Sequence, residues 1–161
     1  MDIQFNSLEV LKMAMNIEEQ GKKFYQKCVE VNTEPKVKEI FAQLRDDEKE
    51  HYQYFKDLLA QFDEADKSTT RDYLYNQQVN GYLKSLVDTK VFPSTEEATN
   101  DIAHNLEEAV EMGIDAEKNS LLLYQELIEV EEDDDTIEAL KKLILEEKRH
   151  LVQLRNIKNN Y

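Results

Sequence analysis

The stretch Glu147-Lys-Arg-His150 and its counterpart Glu48-Lys-Glu-His51 decide the fold that we predict for this chain. In each stretch a glutamate and a histidine are three residues apart, so both lie on one face of a helix if the segment is helical. The two copies are separated by 99 residues, and the same offset relates Glu18 to Glu117. Within each half, the lone glutamate precedes the paired one by 30 residues. Four glutamates and two histidines repeated in register predict a site for two metal ions.

The composition favours long helices in a single domain that covers residues 1–161. The chain has only three glycines and two prolines, and 34% of its residues are charged. Such a composition is typical of helical proteins rather than of sheets with many turns. The formal net charge of -15 argues against nucleic acid and anionic membrane surfaces as partners, because both require clustered basic side chains.

Targeting signals and disulfide bonds are not expected in this sequence. Cys28 is the single cysteine, so no disulfide can form within the chain. The first residues lack the basic and apolar regions of a signal peptide, and no apolar run is long enough to span a bilayer. These features predict a protein of the reducing cytoplasm.

Capping residues and proline predict where the four main helices begin and end. Asn6 or Ser7 starts the first helix, which ends around residues 31–33, and Pro35 starts the second, which ends near Phe62. Asn105 with Glu108 forms a capping box for the third helix. The acidic run of residues 131–135 forms a turn, and Asp135 with Glu138 caps the fourth helix.

Each main helix carries an apolar stripe at spacings of three and four residues, which predicts the face that is buried. The stripes are Leu8, Leu11, Met15, Tyr25 and Cys28; Ile40, Phe41, Leu44, Tyr52, Phe55, Leu58 and Leu59; Val110, Ile114, Leu121 and Tyr124; and Leu140, Leu143, Ile144, Leu151, Leu154 and Ile157. The four glutamates and two histidines of the repeat lie on these same stripes. Counting the rise along the first two helices places Glu18, Glu48 and His51 at one level of an antiparallel pair.

Residues 63–104 form a long, partly helical connection between the second and third main helices. We expect a polar linker at 63–70, an amphipathic helix at 71–88, and an extended Val91-Phe92-Pro93. Ser94 with Glu97 predicts a capping box for a further short helix. A link of this length can run the height of a bundle, which predicts an all-α four-helix bundle with one crossover.

A metal site explains why carboxylates occupy a helical core. A single Glu-x-x-His pair is weak evidence, and most helical glutamates are solvated. Each of four unpaired carboxylates on an apolar stripe would lower the stability of the fold by roughly several kcal/mol, which is the typical cost of burying an isolated charge. Bundles that bind two iron or two manganese ions use two helices that each give a Glu and two that each give a Glu-x-x-His. Oxygen and imidazole ligands suit Fe, with Mn as the alternative.

At these residues the chain resembles the rubrerythrin group of ferritin-like proteins. The resemblance rests on Glu18-x-x-Gly-x-x-Phe-Tyr25, Glu48-x-x-His51, Glu117-x-x-Ser-x-x-x-Tyr124 and Glu147-x-x-His150, and it covers nearly the whole chain. It implies a ferritin-like fold in which Glu48 and Glu147 bridge the metals. Glu18 and Glu117 would then be terminal ligands, and His51 and His150 would each bind one metal.

Two features of the sequence depart from rubrerythrins. The chain has no rubredoxin domain with four cysteines, so electrons would come from a separate donor such as a rubredoxin-like protein. The extra carboxylate that the group carries one turn beyond the third-helix ligand is replaced by Ser120, and its counterpart in the first half is Gly21.

Two tyrosines, a cysteine and a histidine that are not among the six predicted ligands could have either a structural or a functional role. Tyr25 and Tyr124 are two helical turns from ligands, so they would either fill the core, which we favour, or donate hydrogen bonds to the site. Cys28 is interpreted as a small buried apolar residue. His104 is expected on the surface.

The leading functional hypothesis is a di-iron oxidoreductase of the peroxidase or oxidase type that reduces peroxide or dioxygen in oxidative-stress defence. The alternative is a non-enzymatic iron-binding or iron-handling protein, with ferroxidase-like or buffering activity. A weaker third interpretation is an interaction module that uses residues 71–92. A homodimer, with or without exchange of helices between chains, is compatible with the sequence.

Overall fold

The computed structural model describes residues 7–65, 82, 85–86, 92–93 and 95–161, and five helices account for most of them. The helices are α1 (Ser7–Val31), α2 (Pro35–Ala65), α3 (Glu96–His104), α4 (Leu106–Val130) and α5 (Asp134–Asn160). None of the described residues belongs to a β-strand. The prediction of an all-α protein is therefore confirmed.

The four long helices form a bundle, and the short helix α3 packs beside it. Helix α1 contacts α2 and α4, α4 contacts α5, and α5 completes the bundle against α2. Helix α3 packs against α1 and α4. A polar linker was predicted for residues 63–70, but residues 63–65 belong to α2. The remainder of that linker, 66–70, and most of the helix predicted for 71–88 lie outside the described residues. Of the segment predicted to be extended, Phe92 and Pro93 are described, and neither is helical.

The predicted helix boundaries are partly confirmed and partly wrong. Asn105 caps α4 as expected, because its side chain accepts a hydrogen bond from the Glu108 backbone N–H at 3.1 Å. The capping box predicted from Asp135 is wrong: Asp133 caps α5, and its carboxylate accepts from the Thr136 backbone N–H at 2.9 Å. In this acidic run several side chains could serve as the cap, so the sequence does not single one out.

Two further boundaries are displaced from their predicted positions. The cap of α3 is Thr95, one position after the predicted one, and its hydroxyl accepts a hydrogen bond from the Ala98 backbone N–H. Helix α2 continues to Ala65, three residues beyond the predicted end at Phe62. Glu64 and Ala65 are good helix formers, and neither Gly nor Pro follows Phe62 closely, so no strong local signal ends the helix there.

The buried core is divided into two apolar clusters by a polar layer. One cluster is built around Leu11, Phe55 and Leu123, and the other around Phe24, Phe41 and Leu154. The predicted site residues lie between these two clusters on all four long helices. The bundle therefore places charged side chains in its middle, with apolar packing on either side. None of the described helices has the length and apolar character needed to cross a membrane.

Candidate metal centre

All six residues predicted for the site come together in the polar layer. Their ligand atoms form two groups, and within each group the atoms lie within 4.8 Å of one another. The first group is Glu18, Glu48, His51 and Glu147; the second is Glu48, Glu117, Glu147 and His150. Glu48 and Glu147 belong to both groups. Such an arrangement of oxygen and imidazole donors could hold two metal ions side by side.

The two histidines face the carboxylates through the same ring nitrogen. His51 Nδ1 lies 2.7 Å from Glu147 Oε1 and 3.4 Å from Glu18 Oε2. His150 Nδ1 lies 3.4 Å from a Glu117 oxygen and 3.5 Å from Glu147 Oε2. The two imidazole rings are nearly parallel, at 20°, with their centroids 5.9 Å apart. Each half of the chain therefore presents one imidazole to the shared carboxylates.

The donor atoms of this cluster are buried and lack hydrogen-bond partners among the described residues. None of the six residues is more than 3% exposed. The atoms without a partner include both Nδ1 atoms and oxygens of all four glutamates. Although His51 Nδ1 and Glu147 Oε1 are close, their geometry is not that of a hydrogen bond. Buried polar groups almost always have a hydrogen-bond partner. The buried ligand atoms that lack one here are therefore consistent with cations bound between them.

Two carboxylates that the sequence reasoning missed hold the outer nitrogens of the histidines. His150 Nε2 lies 2.9 Å from Asp47 Oδ2, and His51 Nε2 lies 2.6 Å from Glu146 Oε2. A carboxylate on the far ring nitrogen fixes the tautomer of a metal-binding imidazole. The signal was present in the sequence, because Asp47 and Glu146 directly precede the paired glutamates and are also 99 residues apart.

Burial and mutual charge determine the protonation of the glutamates when no metal is bound. Burial, reinforced by the neighbouring Glu147 carboxylate, raises the pKa of Glu18 and Glu48 well above the ordinary value. Burial also favours the neutral form of Glu147, but its contacts with both histidines outweigh this and lower its pKa. The shared carboxylates are therefore not equivalent, and Glu147 is the one that stays ionised.

The same surroundings raise the pKa of both histidines. Burial by itself lowers the pKa of His51, but Glu147 and the other nearby carboxylates raise it to about 9. The opposing effect is larger for His150, where Asp47 and Glu147 outweigh burial and raise the pKa to about 12. Metal binding must therefore displace protons from this cluster, as it does wherever ligands are protonated in the free protein.

The two tyrosines near the site differ in their hydrogen bonding. Both side chains are fully buried, as residues that fill the core would be. Tyr25 also donates a hydrogen bond of 2.7 Å to Glu117 Oε1, so it orients one carboxylate of the cluster. The hydroxyl of Tyr124 has no hydrogen-bond partner among the described residues. Burial was predictable from the apolar stripes, whereas the difference between the two hydroxyls was not.

Gly21 makes room for one of the shared carboxylates, Glu48. A Cβ atom added to Gly21 would lie 2.7 Å from Glu48 Oε2, so the absence of a side chain there is what allows Glu48 to occupy its position. Ser120, at the equivalent position of the second half, is buried with 2% exposure. Cys28 is buried in the apolar cluster around Phe41, and His104 is exposed at the end of α3. Both of these residues lie outside the cluster, as predicted.

Comparison with known proteins agrees with the fold and with the composition of this cluster. Residues 9–158 match the sequence model of the family described as Rubrerythrin. No curated protein matches the chain. A crystal structure described as that of a ferritin-like diiron-carboxylate protein from Thermotoga maritima superposes with a TM-score of 0.74 at 29% identity, covering 98% of this chain and 97% of the other. With a ferritin-like helical bundle and a family match over nearly its whole length, the chain belongs to the rubrerythrin family.

Proposed function

We propose that the chain binds two iron ions and works as an oxidoreductase that reduces peroxide or dioxygen with electrons from an external donor protein. In this proposal Glu18 and His51 would hold one ion and Glu117 and His150 the other, while Glu48 and Glu147, which belong to both ligand groups, would contribute to both. The observation that carries it is the set of orphaned donor atoms in two groups that share two carboxylates. Manganese could occupy the same ligands.

The protein's own residues would hold and orient this centre. Asp47 and Glu146 fix the imidazoles so that each Nδ1 points into the cluster. The Tyr25 hydroxyl places a proton on the Glu117 side of the cluster. Two ferrous ions would supply the two electrons that, with two protons, convert peroxide to two water molecules or dioxygen to hydrogen peroxide. Each cycle then requires two electrons from outside the chain.

A second candidate function is iron handling without turnover, and the burial of the cluster favours it. Every predicted ligand is at most 3% exposed, so a substrate must displace protein atoms to reach the metals. A site enclosed in this way could bind or oxidise iron slowly and retain it. The two proposals share the same ligands and differ in how fast an oxidant reacts.

Metal content tests the site, and rapid mixing separates the two functions. The wild-type protein should bind about two Fe or Mn ions per chain, the number held by bundles of this type. Glu48→Ala should abolish binding, whereas Glu50→Ala, a neighbouring exposed glutamate, should not. Unchanged metal content in Glu48→Ala would refute the site. If neither peroxide nor O₂ oxidises the diferrous protein faster than free Fe(II), binding without turnover is the function.

A further inference from the structure

The outer face of α5 differs in charge from the rest of this acidic molecule. From Lys141 to Asn160, every well-exposed residue of α5 is basic, apolar or an amide, and the two acidic residues there are the buried Glu147 and Glu146, whose side chain is 25% exposed. The chain as a whole has 35 acidic and 20 basic residues. We define the basic face as Lys142, Leu145, Lys148, Arg149, Val152 and Arg155, which recur at helical spacing on one side of α5.

The basic face also exposes apolar side chains. Leu145 is 65% exposed and Val152 is 59% exposed, although the opposite side of the same helix is buried in the core. Beside Val152, a groove of about 300 Å³ between α4 and α5 has an apolar floor that includes Ile114 and Leu151. Lys118 and Arg155 line the same groove. An apolar surface rimmed by polar or charged side chains is a common feature of protein-binding sites.

The basic face lies directly over the candidate metal centre. Glu147 and His150 project inward from the same turns of α5, and a helix with its side chains is about 10–12 Å across. The side chain of Arg149 is 53% exposed, and its Nη2 lies 3.3 Å from Asp47 Oδ2. Asp47 Oδ2 in turn lies 2.9 Å from His150 Nε2. Two polar contacts therefore link this surface to an imidazole of the cluster.

We propose that the basic face is the docking surface for the external electron donor, and that this donor is a small acidic electron-carrier protein. The proposal rests on the proposed function, which requires an external donor. Charge complementarity selects an acidic partner, since it accelerates encounter and orients the bound pair. Docking there brings the carrier within about one helix diameter of the metals.

The charge pattern disfavours the other occupants of this surface. A second copy of the chain related by a two-fold axis would place the basic face against itself, so that like charges would oppose one another. A lipid surface would gain little, because the face exposes only two large apolar side chains, seven residues apart. Lys142 and Lys148 form no ion pair with any described residue, so their charges are available to a partner.

The test compares two triple charge reversals that change the net charge equally. Lys142→Glu/Lys148→Glu/Arg155→Glu alters the basic face, and Lys12→Glu/Lys38→Glu/Lys56→Glu alters exposed lysines of α1 and α2. Rubredoxin, an acidic electron carrier, is titrated calorimetrically into each protein as purified, at low salt. We expect binding to weaken at least about tenfold in the first variant and to change less than about threefold in the second. High salt should remove the difference.

Several outcomes would overturn the proposal. These are no binding of rubredoxin to the wild type, equal loss in both variants, or no loss in either. Binding of the wild type to anionic lipid vesicles that only the first variant loses would assign the face to membranes. A wild-type dimer in sedimentation experiments that only the first variant loses would assign it to self-association.

A separate measurement isolates the proposed reaction from the docking. Iron-loaded proteins reduced with dithionite are mixed with peroxide, which requires no partner protein. Both proposals are supported if peroxide oxidises all three proteins fast and the first variant alone loses rubredoxin binding and electron transfer from rubredoxin. Slow oxidation in all three with selective rubredoxin binding would refute the reaction and leave the docking surface supported.

Discussion

Replacing Asp47 with asparagine should weaken one metal position of the centre and spare the other. Asp47 accepts a hydrogen bond from His150 Nε2 at 2.9 Å, and its side chain is 15% exposed. Asp47 is ionised near neutral pH: although burial alone would raise its pKa, the contact with His150 brings it below the ordinary value. Nε2 therefore keeps the proton of this bond, and Nδ1 is the nitrogen that gives up its proton when a metal binds. An asparagine removes the charge and permits the other tautomer.

Two independent considerations give the size of the effect. A hydrogen bond to a charged group contributes about 1.5–3 kcal/mol. Loss of the carboxylate behind a metal-binding histidine typically weakens metal affinity about 10–100-fold, which is about 1.4–2.7 kcal/mol. The contact of Asp47 with the exposed Arg149 adds about 1 kcal/mol at most. We therefore expect affinity for the ion near His150 to fall by one to two orders of magnitude.

Titration with Co²⁺, followed by its visible absorption, should resolve the two ions in Asp47→Asn as a tight and a weak phase. Asp46→Asn is the matched control, because Asp46 is exposed and contacts Arg45 on the surface. Glu146→Gln should reproduce the effect for the ion near His51. Equal weakening of both ions in Asp47→Asn, or the same loss in Asp46→Asn, would refute the reasoning.

Three more changes test the packing and electrostatics of the cluster. Gly21→Ala should stabilise the metal-free helix by up to about 1 kcal/mol, which chemical denaturation would measure. The same change should weaken metal binding, because the new Cβ displaces Glu48. An unchanged metal affinity in a metal titration would contradict the expected displacement. The melting temperature of the chelator-treated protein should fall between pH 6.5 and 9. Because folding raises the pKa of His51 to about 9, this histidine stabilises the fold fully below pH 6.5, and the stabilisation, at most about 3 kcal/mol, is lost as the pH passes about 9. A melting temperature that stays constant or rises over this range would contradict the prediction. Tyr25→Phe should destabilise the protein by about 1–3 kcal/mol in denaturant titrations, whereas Tyr124→Phe should be close to neutral, and equal losses would exclude a special role for the Tyr25 hydrogen bond.

Helical periodicity was enough to predict most of the bundle and the members of its polar layer. The apolar stripes are long, and buried glutamates on them have few explanations other than metal, so Glu18 and Glu117 could be assigned to the layer from spacing alone. Caps were less predictable in acidic stretches, where Asp133 and Asp135 are equally good candidates by residue type and the structure shows Asp133 to be the cap.

Contacts between the two halves of the chain could not be read from sequence spacing. Asp47 lies on the edge of the α2 stripe and resembles a solvated residue, and its contact with His150 depends on how α5 is placed beside α2. The same holds for Tyr25, whose partner Glu117 is 92 residues away. Periodicity reports which face of a helix is buried, but the rotation and axial shift of its neighbour determine which atoms meet there.

The contacts of Asp47 and Glu146 are reciprocal between the two halves of the chain. His51 in the first half contacts Glu146 in the second, and His150 in the second contacts Asp47 in the first. When each residue is shifted by 99 positions, one contact becomes the other. This is the exchange rule of a two-fold interface, in which residue i meets j of the partner and j meets i. One polypeptide thus contains the contact pattern of a symmetric dimer of half-length units.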